Sequence, residues 1–155
     1  MVDIARTPAP KPTPPTLEAL RAFFASDFPQ STVSLVSIDP AGLARVRQEI
    51  DQRHLRPGGT VSGPVMMATA DAATYAALLA HVGIVPLAVT SNLSISFFRR
   101  PKPDRALIAD ARIFKVGRTL AFAECTLSSE GDELPVAHAT LTYALPRETG
   151  YASPE

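Results

Sequence analysis

The chain has 155 residues, 46 % of them hydrophobic, and its lysines plus arginines equal its aspartates plus glutamates at 15 each. That length supports one domain with a real core, and that hydrophobic share excludes a mainly disordered chain. A formal charge of zero offers no footprint for nucleic acid and removes the self-repulsion that would oppose oligomerisation. Cys125 is the only cysteine, which excludes an intramolecular disulfide and a cysteine-rich metal site. No stretch reads as an unbroken bilayer span, and the N-terminus lacks the basic head and apolar centre of an export signal. The expectation is a cytoplasmic protein with no membrane partner.

Residues 1–15 are rich in proline, from Thr7-Pro8-Ala9-Pro10 to Thr13-Pro14-Pro15, and are expected to form a flexible lead-in. Thr16 is placed to cap a helix to about residue 26, with Leu17, Leu20, Phe23 and Phe24 as its apolar stripe. That helix should cover one side of a sheet, and Phe28-Pro29 ends it. Residues 33–38 and 43–50 read as strands around Asp39-Pro40-Ala41-Gly42, a strong turn signal. In the second strand Ala44, Val46, Gln48 and Ile50 alternate with Leu43, Arg45, Arg47 and Glu49, which marks a sheet with one wetter face. Residues 51–60 read as a loop.

From Pro64 to about His81 the pattern becomes helical, with Pro64 in the first turn and Gly83 at the stop. The segment is alanine-rich and apolar almost all round, so it should be central and buried. One carboxylate, Asp71, stands inside it, and such a group is costly to bury unless paired, neutralised or used. Strands follow at 88–98, 106–116 and 119–128, the last two joined at Gly117-Arg118. A strand at 134–145 alternates Ala137, Ala139, Leu141, Tyr143 and Leu145 with His138, Thr140 and Thr142. The expected plan is a lead-in over 1–15, a single domain over 16–146 and a solvated tail over 147–155. This order describes an α+β fold, one antiparallel sheet wrapped around one apolar helix. A single helix cannot cover the whole sheet, so a free edge or face invites a second subunit.

His54-Leu55-Arg56-Pro57-Gly58-Gly59-Thr60-Val61-Ser62-Gly63-Pro64, followed by Ala70-Asp71-Ala72-Ala73, resembles the helix start of PaaI-type hotdog-fold acyl-CoA thioesterases. Val89-Thr90-Ser91-Asn92-Leu93-Ser94-Ile95-Ser96-Phe97-Phe98-Arg99 is similar to that family's next strand. Val116-Gly117-Arg118-Thr119-Leu120 and Ala139-Thr140-Leu141-Thr142-Tyr143 resemble its later strands. The likeness spans about residues 33–146. It implies a hotdog fold, acyl-CoA substrates, and no cofactor other than the coenzyme A carried by the substrate. It also implies a homodimer, open to further pairing into a homotetramer, with two sites at the subunit interface. In this family the carboxylate at the Asp71 position is general base or nucleophile, and the amide at the Gly63 position polarises the thioester carbonyl. The hydroxyl at the Thr90 position, supplied by the other subunit, orients water or the carboxylate. Two positions depart from the pattern: Ser62-Gly63-Pro64 replaces His-Gly-Gly, and Arg56 replaces an asparagine-like amide.

The implied chemistry has a physical basis in these residues. Unpaired amides at a helix N-terminus are fixed donors where charge develops on a carbonyl oxygen, and Gly63 permits close backbone approach. Asp71 lies two turns further along, roughly 10 Å of helical rise, a gap that an acyl group would bridge. Either attack by the carboxylate or deprotonation of water is open to it. Its bland alternative is a structural group bonded to backbone or to Thr74. Arg56 is a candidate to hold the thioester, a phosphate or Asp71 itself. Arg99, Arg100, Lys102 and Arg118 are candidates for the coenzyme A phosphates, against a plain solvated rim. Met67 and Tyr75, with Met66 and Leu78, are candidates for an acyl tunnel, against ordinary helix packing. Ser62 reads as a helix cap at the substrate-binding mouth beside Pro64, not as a nucleophile. His54, His81 and His138 lack metal-ligand spacing, so no metal is expected.

Three other functions compete with thioester hydrolysis. A non-catalytic acyl-CoA or small-ligand binding protein on the same fold is motivated by Ser62, Arg56 and Pro64. A hotdog hydratase or dehydratase ranks below it for want of an acid–histidine pairing. A purely structural oligomerisation module comes last.

Overall fold

In the computed structural model, which describes residues 12–147, the Thr16 hydroxyl accepts the Ala19 amide at 3.1 Å and starts α1 (Leu17–Asp27). Most of the expected lead-in and tail, residues 1–11 and 148–155, lies outside the described residues. After α1 come β1 (Ser34–Asp39) and β2 (Leu43–Gln48), then a short 3-10 turn (Gln52–His54) and the two-residue strands β3 (Leu55–Arg56) and β4 (Thr60–Val61). α2 (Gly63–Val82) follows, and then β5 (Val89–Phe97), β6 (Leu107–Val116), β7 (Leu120–Ser129) and β8 (Pro135–Ala144). The six long strands form one sheet in the order β1-β2-β6-β7-β8-β5, with every neighbouring pair antiparallel. This sheet wraps α2, which is the hotdog arrangement of an α+β fold.

The β1–β2 turn closes where Asp39 accepts the amides of Ala41, on its side chain at 2.7 Å, and of Gly42, on its backbone at 2.9 Å. Gly42 has a φ of +90°, and a Cβ there would fall 2.9 Å from the Ile113 Cβ, so glycine is required for both conformation and space. Residues 51–60 are more ordered than a plain loop. The Asp51 carboxylate accepts the Arg53 amide at 2.8 Å, the His54 ring accepts the Asp51 amide at 2.9 Å, and the β3–β4 ladder closes across Gly58 and Gly59. These bonds depend on side chains capping backbone over two to three residues, a signal that strand periodicity does not contain.

The core follows from small residues meeting small residues. Ala70, Ala73, Ala76, Ala77 and Ala80 of α2 are fully buried, and Ala109, Ala123 and Ala139 of the sheet face inward with at most 1 % exposure. Close approach of helix and sheet is the result, with Leu78, Leu79, Leu107, Leu127 and Leu141 filling the space between. Each such leucine contributes about 1.5–3 kcal/mol of burial. By length and apolar composition alone α2 is long enough to cross a membrane, contrary to the expectation for this chain, but 67 % of its most apolar window is buried inside the fold. Its hydropathy belongs to a core helix.

α1 packs at the β1 edge of the sheet, where the Arg21 side chain donates to the Leu35 carbonyl, and also against α2. Its Phe23, Phe24 and Phe28 gather around Tyr75 at ring separations of 6.3, 5.8 and 6.1 Å. At the opposite edge of the sheet, β5 pairs only with β8 and leaves its other side free. Its nine residues contain no proline and no charge, and seven of them are exposed.

Candidate active site

The residues of α2 that the sheet does not cover form one stripe: Pro64, Met67 and Ala68, Asp71, then Tyr75. Their spacing of three or four residues puts them on one face. Asp71 is half-buried on that stripe. Its Oδ1 accepts two hydroxyls, from Thr90 at 2.5 Å and from Tyr143 at 2.6 Å. The Tyr143 hydroxyl also reaches the Asp71 carbonyl at 3.0 Å. No hydrogen bond from the described residues reaches Oδ2.

Thr90 is the second residue of the free edge strand, and Tyr143 projects inward from its neighbour β8, directly opposite Thr90 in the ladder. Sheet pairing therefore sets both donors. Tyr143 is only 3 % exposed, and its ring stacks on Tyr75 at 6.0 Å and 7°. Burial, and then the neighbouring Asp71 charge, push the Tyr143 phenol well above its ordinary value of 10. It therefore stays protonated and keeps donating to the carboxylate.

Because the folded state holds that proton more tightly, stability is complete below pH 10 and falls as pH rises above it, where the unfolded phenol ionises first. Urea midpoints followed from pH 8 to 11.5 are expected to drop more steeply for the wild type than for Tyr143→Phe. Equal slopes would remove Tyr143 as the linked group.

A cavity of about 350 Å³ opens beside Asp71 and is lined also by Phe23, Asp27, Phe28, Tyr75, Thr90 and Tyr143. A second cavity, about 560 Å³, lies at the N-terminus of α2 and takes in Arg56, Gly63, Met66, Phe97, Arg99 and Arg100. The amides of this first turn have no partner within the helix, and Pro64 removes one of them.

These two cavities divide the expected residues. Asp71, Thr90 and Tyr75 share the first; Arg56, Gly63, Arg99 and Arg100 share the second. Within one chain Gly63 and Asp71 do not face a common space, so the expected direct bridge along the helix is absent. Thr90 reaches Asp71 inside one chain, which corrects the expectation that the other subunit supplies it. Met67 is 38 % exposed and lines neither cavity, whereas its neighbour Met66 lines the second. Leu78 is fully buried core. Lys102 pairs with Asp132 at 3.4 Å, and Arg118 sits exposed at the β6–β7 turn; neither lines a cavity described here. Ser62 precedes the helix but its hydroxyl makes no capping bond; its amide instead donates to the His54 carbonyl at 2.9 Å. Among the described residues no group of three or more His, Cys, Asp or Glu is disposed to hold a metal.

Sequence reasoning missed Tyr143 and the α1 residues Phe23, Asp27 and Phe28. Tyr143 had a usable signal: it occupies an inward position in an alternating strand, where a buried phenol must find an acceptor. The α1 residues had none, because nothing local says which part of the fold a terminal helix packs against.

The sequence profile of the thioesterase superfamily matches residues 58–136, which span α2 and the strands that follow it. A protein named as a candidate thioesterase from Silicibacter sp. TM1040 is 45 % identical, with a TM-score of 0.76 over 84 % of this chain and 92 % of that one. A point mutant of the phenylacetic acid degradation protein PaaI from Thermus thermophilus is 26 % identical, with a TM-score of 0.65 over 81 % of this chain and 99 % of that one. Zebrafish thioesterase superfamily member 2, 23 % identical with a TM-score of 0.76 over 85 % and 99 %, shares the fold. No curated protein matches the sequence.

Proposed function

Because this chain belongs to the thioesterase superfamily, we propose that it is a PaaI-type acyl-CoA thioesterase that releases a free carboxylic acid and coenzyme A. The observation that carries this reading is the Asp71 carboxylate, which lines a cavity and is held at Oδ1 by Thr90 and Tyr143, with no hydrogen bond from the described residues at Oδ2. Two hydroxyl donors stabilise the anion and fix its orientation, while Oδ2 retains the lone pairs that a base or nucleophile needs.

The free edge of β5 supplies the rest. Its ends lie at the two cavities: Thr90 at the Asp71 side, Phe97 at the Gly63 side. Seven residue-to-residue steps along the strand separate them by roughly 20 Å. A second copy pairing antiparallel along this edge, about a two-fold axis near the middle of β5, brings each Thr90 end beside the other copy's Phe97 end. The Asp71 of one subunit then faces the Gly63 amide and Arg56 of the other. The homodimer is thus the functional unit, with two composite sites.

In such a site the Gly63 amide donates to the thioester oxygen and Asp71 Oδ2 takes a proton from water as that water attacks the carbonyl carbon. The carbon–sulfur bond breaks, and the departing thiolate recovers the proton. Arg56, Arg99 and Arg100 concentrate positive charge at the other mouth, suited to the phosphates of coenzyme A. Arg56 lacks the acceptor of the amide it replaces, so water is positioned from the Asp71 and Thr90 side.

The direct test is a steady-state assay of thiol release across short, medium and aryl acyl-CoAs. Turnover of at least one class is expected. Folded protein that binds these thioesters and cleaves none of them would support the ligand-binding alternative.

A further inference from the structure

Asp27 is the last residue of α1 and lies where a negative charge is least welcome. It sits at the negative end of the helix macrodipole, no basic residue stands in that last turn, and among the described residues no cation pairs with it. Its one side-chain bond is a local one from the Ser26 hydroxyl, at 2.5 Å. Nothing in the packing of the fold calls for a carboxylate here.

Asp27 is exposed to solvent and also lines the cavity beside Asp71. The walls between the two acids are aromatic, formed by Phe23, Phe28 and Tyr75, with Phe28 edge-on to Tyr75 at 81°. Tyr75 stands one helical turn beyond Asp71, and its hydroxyl donates to the carbonyl of Pro86, another lining residue, at 3.2 Å. The Asp27 charge is felt there: burial first, and then Asp27, raise the Tyr75 phenol above its ordinary value. No lysine, arginine or histidine lines the cavity. One cavity thus takes in the Asp71 carboxylate from α2, the aromatic rings of Phe23, Phe28 and Tyr75, and a second carboxylate, Asp27, from the end of α1.

We propose that Asp27 is a specificity-determining residue that admits acyl groups with an aromatic body and an uncharged far end and excludes those ending in a carboxylate. The inference rests on the hydrolase reading of Asp71, since it is the acyl group attacked there that extends toward Asp27. A carboxylate brought to the Asp27 end would meet a like charge, with no lysine, arginine or histidine in the cavity lining to offset it. A neutral amide of the same shape does not meet that repulsion. Its N–H groups find in Asp27 an acceptor.

The test compares 4-carbamoylphenylacetyl-CoA with 4-carboxyphenylacetyl-CoA, which differ in charge and hardly in size. For the wild type, kcat/KM is expected to favour the carbamoyl substrate by about tenfold or more, with Asp27→Asn narrowing the ratio to about threefold and Asp27→Lys reversing it. A ratio unchanged in both variants overturns the inference while leaving hydrolysis at Asp71 intact. Binding of the two matching thioether analogues, in which a methylene replaces the thioester carbonyl, separates the remaining cases. Asp27-dependent preference for the carbamoyl analogue without turnover of either thioester would uphold the pocket and defeat the hydrolase reading. Equal binding of both analogues, or binding of neither, overturns the inference.

Discussion

Asp71→Asn is expected to lower kcat for acyl-CoA hydrolysis by about a hundred- to a thousandfold while leaving the fold intact. Asparagine keeps the shape of the side chain and a carbonyl oxygen to accept the Thr90 and Tyr143 hydroxyls, which bond Oδ1 in the native site at 2.5 and 2.6 Å. What it removes is the negative charge and the basic oxygen, Oδ2, that neither hydroxyl bonds. Asparagine is also the cleaner substitution. Alanine would remove the carboxylate acceptor shared by the Thr90 and Tyr143 hydroxyls, leave Tyr143 only the Asp71 backbone carbonyl at 3.0 Å, and so confound a loss of rate with a change in packing. Circular dichroism and a urea melt verify the fold, and thiol release measures the rate. An Asn variant within a few-fold of the wild type would remove Asp71 from the chemistry. In that case the bonds from Thr90 and Tyr143 would be structural only.

The second large effect concerns two chains instead of one. Gly63→Val and Asp71→Asn are each expected to be nearly inactive alone, because each spoils both sites of a dimer. Gly63→Val crowds the helix mouth, where even a Cβ lies 3.3 Å from the Phe97 ring. If a site takes Gly63 from one subunit and Asp71 from the other, a mixed dimer has one site with both defects and one with neither. Co-refolding equal amounts should therefore restore about a quarter of wild-type activity, since half of the dimers are mixed and each has one sound site. A site confined to one chain gives no recovery above the sum of the two variants. The division of residues between two cavities, one at each end of an unprotected edge strand, is what makes recovery the expected result.

The order of elements was readable because the residues carry it locally. Period-two alternation in β8, the alanine-rich span of α2 between Pro64 and Gly83, and the turn at Asp39 to Gly42 each act over a few residues and match the observed elements to within two positions. β2 ends at Gln48, short of Ile50, and the loop before α2 turned out to contain a capped 3-10 turn and a small ladder. Asp71 was conspicuous for the same local reason, as the one charge in an apolar helix. The geometry around it was not readable. Tyr143 and Thr90 lie 72 and 19 residues from Asp71, and only strand pairing brings their hydroxyls to a single oxygen. The separation of Gly63 from Asp71 into different cavities depends on how the sheet curls around α2, which no periodicity encodes.

Local propensity and hydrophobic pattern thus determined the elements, their order and the odd carboxylate, since those signals act between near neighbours along the chain. Tertiary structure alone decided which hydroxyls hold that carboxylate, that α1 brings Asp27 and its phenylalanines to the same cavity, and which strand is left with a free edge. Those outcomes are set by contacts between segments far apart in sequence, where the energy belongs to the packed arrangement and not to any one stretch of residues.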